Sequence, residues 1–284
     1  MYRSLNTAYL GFVTDVETAA RTAGPGGFRG VDLSPIQALN VAADGSATAV
    51  RELLVDLDIR PGWFALTPRN FSGDEADWER DLEGLPELCA SMSEIGFRRA
   101  LIVVLPFAES LDFETNFERH VNRIRHVAGI LLPYDILLGL EYIGPVTRRC
   151  GYPHLFVHDM KGALELRAAV DRRNVGIFLD CFHWYCARER PADIEALDPS
   201  WIAGAHINDA FAGRTIDEQI AFERQLPGTS GLIDLVGFLR ALQTIGYDGP
   251  VTCEPMSGNL AQLTLPEAVR KTAEAIEVAT DGLV

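Results

Sequence analysis

The feature that most limits what this chain can fold into is an alternation of two textures. Eight short apolar runs, most carrying a polar or acidic residue at or near their C-terminal end, are separated by longer stretches of helical periodicity. The runs are LNTAYLGF (5–12), GVDLS (30–34), PGWFALT (61–67), ALIVVLP (100–106), ILLGLEYIG (136–144), VGIFLDCF (175–182), IAGAHIN (202–208) and PVTCEP (250–255). From Glu75 to Ile95, residues Leu82, Leu85, Leu88, Met92 and Ile95 form one stripe at three- or four-residue spacing. Similar stripes cover 113–132, 162–170 and 232–245, and a last helix is expected from Pro266 to Ala279. Strands alternating with about eight helices predict parallel βαβ units. Closed on itself, that pattern is an α/β fold of the (β/α)8 barrel type, for which about 250 residues is typical. An open doubly wound sheet is the other arrangement; no GxGxxG follows the first strand and no P-loop occurs.

No linker or low-complexity segment divides residues 1–284, so one barrel domain is expected. Two irregular inserts follow strands: Gly144 to Asp159 after the fifth, and Asp209 to Gly231 after the seventh. Loops after barrel strands lie on the catalytic face, which makes both candidate pocket walls.

The balance of 25 basic against 40 acidic residues gives a net charge of −15. That disfavours nucleic acid as a partner, because phosphate binding needs a basic face. The five cysteines contain no CxxC pair, which fits a reducing cytoplasm rather than a disulfide framework. The chain opens without a secretory signal pattern, and no uncharged apolar stretch is long enough to span a membrane. The expected partner is therefore a small molecule, met in the cytoplasm.

The fifth to eighth runs share a further property. Each carries a metal-competent side chain at or near its C-terminal end: Glu141, Asp180, His206 and Glu254. In a barrel these strands are neighbours, so the four side chains would converge on one part of the top face. Three carboxylates brought together repel one another unless a cation offsets them. An O3N donor set suits Mn²⁺ best, with Mg²⁺ or Co²⁺ as alternatives and Zn²⁺ less so. Around a divalent ion these ligands alone leave a formal charge of about −1. Asn6 and Trp63 sit at other strand ends on the same face, and Trp184 and Tyr185 offer rings that pack on sugar C–H faces. Asp209 is placed either to orient His206 from behind or to cap the loop that follows. On this reading His120 and His126, and the DEQ run 217–219, face solvent.

The segments LGLEYIGP, NVGIFLDCFHWY, GAHINDA and LPGTSGLIDLVGFLRALQTIGYDGPVTCEP resemble the xylose-isomerase-like barrel superfamily, specifically its sugar (phosphate) isomerase/epimerase branch. The resemblance covers residues 137–255 well. It implies one divalent metal held by Glu141, Asp180, His206 and Glu254, with Glu141 and Glu254 doubling as acid and base on opposite faces of a sugar. It implies that His183 contacts a substrate oxygen, that an arginine soon after the metal histidine does likewise (here Arg214), and that dimers or tetramers form. The activity it implies is isomerisation or epimerisation of a keto-sugar or inosose-like compound. A lyase on the same site and a non-catalytic metal-binding barrel are the alternatives.

Overall fold

The computed structural model describes residues 1–66 and 74–284. Thr67, the end of the third expected strand, lies outside them. Eight parallel strands close into a barrel: β1 Tyr2–Leu5, β2 Gly30–Leu33, β3 Arg60–Ala65, β4 Arg99–Val104, β5 Leu137–Tyr142, β6 Val175–Asp180, β7 Ile202–Ile207 and β8 Pro250–Cys253. They neighbour one another in chain order, and β8 returns to β1 with Tyr2 opposite Pro250 and Ser4 opposite Thr252. Helices pack around the outside, among them Met160–Val170, Leu235–Thr244 and Leu265–Thr280.

The two-residue period of a strand sorts side chains between two cores. In β6, Ile177 and Leu179 join the large apolar layer between strands and helices. Phe178 faces inward, where it packs with Trp63, Leu101 and Ala203 in a separate cluster inside the barrel. The same alternation turns Asp180 inward. In β5, Leu138, Leu140 and Tyr142 belong to the outer layer, which leaves Glu141 facing in. Val251 and Cys253 of β8 likewise face out, and Thr252 and Glu254 face in. The inner packing is tight: a Cβ on Gly204 would lie 2.3 Å from the Phe178 ring, so glycine gives that ring its place below His206.

A polar layer crosses the barrel under the top face. Asp32 is fully buried; its Oδ1 accepts from Ser4 Oγ at 2.7 Å and from the Trp63 backbone N–H at 3.0 Å, and its Oδ2 accepts from Thr252 Oγ1 at 2.7 Å. Trp63 Nε1 in turn donates to Thr252 Oγ1 at 3.2 Å. One carboxylate thus ties β1, β2, β3 and β8 together. Gly62 is required beside it, because a Cβ there would fall 1.9 Å from Asp32 Oδ1.

Several elements differ from the sequence expectation. The first strand covers Tyr2–Leu5 rather than 5–12; Asn6 caps a 3-10 turn, Thr7–Leu10, that Gly11 closes at φ 91°. The long helix expected over 75–95 is two, Glu75–Leu82 and Leu85–Ile95, broken where Gly84 adopts φ 72°. His120 is buried, its Nδ1 2.8 Å from the Asn116 carbonyl and its ring 4.6 Å from Phe156. His126, by contrast, is exposed. Gln219 is also fully buried rather than solvated, because it staples the loop after β7. No helix among the described residues is long and apolar enough to cross a membrane.

Burial pushes the Asp32 carboxyl up to about 6 against its hydrogen bonds. The folded chain then holds this proton after the unfolded chain has released it, so stability falls as pH rises from about 4 through 6. Asp32→Asn removes that dependence. Denaturant titrations are expected to show the variant gaining on the native chain by roughly 2 kcal/mol between pH 4 and pH 7; a pH-independent difference contradicts this.

Candidate metal and active site

The four strand-end residues meet. Glu141, Asp180, His206 and Glu254 are all buried, and their ligand atoms lie within 4.8 Å of one another. Strand register brings this about. Asp180 stands opposite His206, His206 stands opposite Thr252, and the Glu254 N–H extends the ladder by donating to the Ile207 carbonyl at 3.0 Å. His206 Nδ1 lies 3.1 Å from a Glu141 oxygen, 3.3 Å from Glu254 and 3.6 Å from Asp180. Ligands around a small divalent cation with bonds of about 2.1 Å stand about 3 Å apart along an octahedral edge. The donor set fits such an ion in type and in spacing. It is the only group of this kind among the described residues.

Electrostatics give the same answer. Burial raises Glu141 to about 7 against the pull of His206. Burial would also raise Asp180, but Arg224, His183 and His206 outweigh it and hold the carboxyl well below its usual range. Burial opposes charge on His206, yet Glu254 and the other two carboxylates hold it well above the ordinary imidazole value. Without a metal, a proton on His206 and the guanidinium of Arg224 are the cations that face these three acids.

Arg224 is the residue that sequence reasoning missed. It is buried, with Nη1 2.6 Å from Asp180 Oδ2 and bonded also to Glu254 Oε2. Its Nη2 donates to His183 Nε2 at 3.1 Å. Three carboxylates, one guanidinium and one divalent cation leave no net charge, against the −1 expected from the ligands alone. The signal available was its position just before the LPG motif. The path of the chain between Asp209 and Gly231 decides whether it arrives, and no periodicity reports that path.

The structure treats the other expected site residues unevenly. His183 belongs to the cluster; Arg224 can only donate, so His183 Nε2 accepts, and Nδ1 is left buried without a protein partner. Trp63 sits below the tetrad with its ring 5.3 Å from His206, and Tyr9, which the sequence did not single out, places its ring edge-on at 5.2 Å. Asn6 is buried at the turn after β1, where with Tyr9 and Trp63 it lines a cavity. Arg214 is not brought in; it pairs with Glu223 and covers the Phe211 ring at 4.7 Å. Trp184 packs outward on Phe238, with ring centres 5.5 Å apart. Asp209 does not orient His206. Its carboxylate accepts from the N–H groups of Ser230 at 2.7 Å and Gly231 at 2.8 Å, closing the loop that carries Arg224.

A parallel barrel with a buried carboxylate–histidine tetrad at its strand ends is the class that fold and site define. The chain matches the xylose isomerase-like TIM barrel family over residues 19–279, and it belongs to that family. It is 34% identical over 158 residues to an inosose isomerase of Halalkalibacterium halodurans, covering 54% of this chain and 51% of that protein. The match therefore spans about half the length of that relative. A 3-dehydroshikimate dehydratase of Pseudomonas putida is 27% identical over 260 residues, covering 89% of this chain and 38% of the relative. The structure of a xylose isomerase domain protein from Alicyclobacillus acidocaldarius superposes with a TM-score of 0.86 at 27% identity, covering 98% of both chains.

Chelator-treated protein is expected to take up one Mn²⁺, Co²⁺ or Zn²⁺ per chain in calorimetric titration. Asp180→Asn is expected to weaken uptake at least about a hundredfold. Metal at a hundredfold excess over its Kd should add about 2.7 kcal/mol to the unfolding free energy. Equal affinity in native protein and Asp180→Asn contradicts the site.

Proposed function

We propose that this protein is a divalent-metal-dependent isomerase or epimerase of a keto-sugar or inosose-like substrate. The observation that carries the proposal is the convergence of Glu141, Asp180, His206 and Glu254 around one point at the mouth of the barrel. The similarity to an inosose isomerase supports the choice of substrate class.

A C–H bond beside a carbonyl is too weakly acidic to ionise unaided. When bound, a divalent cation would polarise a neighbouring carbonyl and hydroxyl and offset the negative charge that grows on their oxygens. Mn²⁺ suits the oxygen-rich donor set best. The protein supplies the rest. Glu141 and Glu254 come from β5 and β8, the outer pair of the four strands, with Asp180 and His206 between them. On this reading their carboxylates act from opposite sides of a substrate held over the centre. One of them removes the proton. If the same carboxylate returns it to the adjacent carbon, the outcome is isomerisation. If the opposite carboxyl, itself protonated, delivers a different proton to the other face of the same carbon while the first keeps the one it took, the outcome is epimerisation. His183, with its Nδ1 unpartnered, and Arg224 offer hydrogen bonds to substrate oxygens. Burial of the whole cluster strengthens each of these interactions.

The second reading is a lyase on the same residues, in which the electron pair left by proton removal expels a β-hydroxyl or glycosidic oxygen. Similarity to a dehydratase over 89% of the chain favours keeping it.

Incubation of candidate ketoses and inososes in D₂O with Mn²⁺ is the test. Deuterium is expected beside the carbonyl, and Glu141→Gln and Glu254→Gln are each expected to lower the exchange rate at least about a thousandfold with the fold intact. Near-native exchange in both variants removes the proton-transfer roles. An unsaturated ketone in place of exchanged substrate selects the lyase.

A further inference from the structure

Beside the tetrad a cavity of about 670 Å³ opens between the turn after β1 and the first turn of helix Pro35–Asp44. Trp63 and Tyr9, the rings that approach His206, form its inner end. Phe12 and Met256 continue the wall outward, and Val13 and Ile36 form the rim, 91% and 56% exposed despite being apolar. Met256 is held there at φ 46°, a left-handed backbone that costs a non-glycine residue free energy.

Most polar groups of this compartment are spent within the protein; the exposed Asp15, which accepts from the Thr18 N–H, and the exposed Asn40 also line it. Gln37 Nε2 donates to the Thr14 carbonyl at 3.0 Å, while its Oε1 accepts from Ser34 N at 3.0 Å and Ser34 Oγ at 2.9 Å. Thr14 Oγ1 pairs with Thr7 Oγ1 at 2.8 Å, and Asn6 Oδ1 is taken by the Ala8 N–H at 3.1 Å. No lysine, arginine or histidine among the described residues lines the cavity. A hydroxyl-rich ring placed here would give up bonds to water and gain few in return. Among the described residues an anionic group would find no counter-charge. An uncharged apolar group would bury its surface against rings and aliphatic side chains. The volume falls in the range that encloses drug-sized ligands, and the cavity is lined by none of the four tetrad residues, which it meets only through Trp63 and Tyr9.

We propose that the substrate bears an uncharged aryl or alkyl substituent, and that the compartment between Trp63 and Ile36 holds it while the hydroxy-ketone end reaches the tetrad. The inference rests on the reading above for which end reacts. It goes further in assigning a two-part substrate and a specificity site away from the acids and bases.

The test is calorimetry on the full chain loaded with Mn²⁺, comparing phenyl β-D-glucoside with D-glucose. The phenyl compound is expected to bind at least tenfold more tightly. Val13→Asp and Ile36→Asp are each expected to erase that preference and leave glucose binding unchanged. Val13 is almost fully exposed, so its replacement does not threaten the fold. Equal affinity for the two ligands, no binding of either, or variants that weaken both equally overturn the inference. Deuterium exchange of an unsubstituted ketone reports separately on the reaction: exchange without a phenyl preference sinks this inference alone, and a phenyl preference without any exchange sinks the reaction alone.

Discussion

Three carboxylates buried around one imidazole are the constraint on which the rest of this structure depends. Each of the three would resist ionisation if buried alone, and together they would repel one another in a medium that screens poorly. Their approach is stable only if positive charge sits among them. Arg224 supplies one such charge from the loop after β7, and protonated His206 supplies another in the metal-free chain. A divalent cation bound there would replace the imidazole proton and bring the centre to neutrality. The donor spacing, the burial and the charge balance therefore all point to the same occupant.

The barrel meets this constraint through strand periodicity and register. Inward positions on β5 to β8 carry the ligands, and outward positions on the same strands carry the apolar residues that bind the helices. Below the tetrad, Phe178 and Trp63 provide a dry floor, with their rings 4.5 Å and 5.3 Å from His206. Beneath and beside that floor, Asp32 ties four strands together, so the strand that carries Glu254 is fixed two residues before the ligand itself. Above it, Asp209 and Gln219 shape the loop that delivers Arg224. Gln219 also accepts, through its carbonyl, a hydrogen bond from Thr147 at 2.6 Å, which joins the two long inserts over the site.

What the sequence made legible follows from which interactions are local. The parallel strands, the barrel and the four ligands were readable because buried strands write themselves as short apolar runs, and an acid or histidine at the end of each stands out. Arg224 was not readable, because its arrival depends on contacts between residues some twenty positions apart, such as Asp209 with Ser230 and Gly231. Arg214, closer to the motif, took its place in the expectation. His120 looked like a surface residue on helical spacing, but the insert after β5 folds down and covers it with Phe156. The apolar stretch after Leu5 looked like strand; the capping bond from Ala8 to Asn6 and the left-handed Gly11 turn it into the wall of a cavity instead. For Arg224 and His120 a tertiary contact decided the outcome, whereas after Leu5 a local cap and a left-handed glycine ended the strand.

The central claim is that one cation occupies the point where the four strand ends meet. Anomalous diffraction from crystals soaked in Mn²⁺ tests it most directly. The account predicts a single strong peak per chain, bounded by Glu141, Asp180, His206 Nδ1 and Glu254. A peak elsewhere, or none while Arg224 still bridges Asp180 and Glu254, would contradict it.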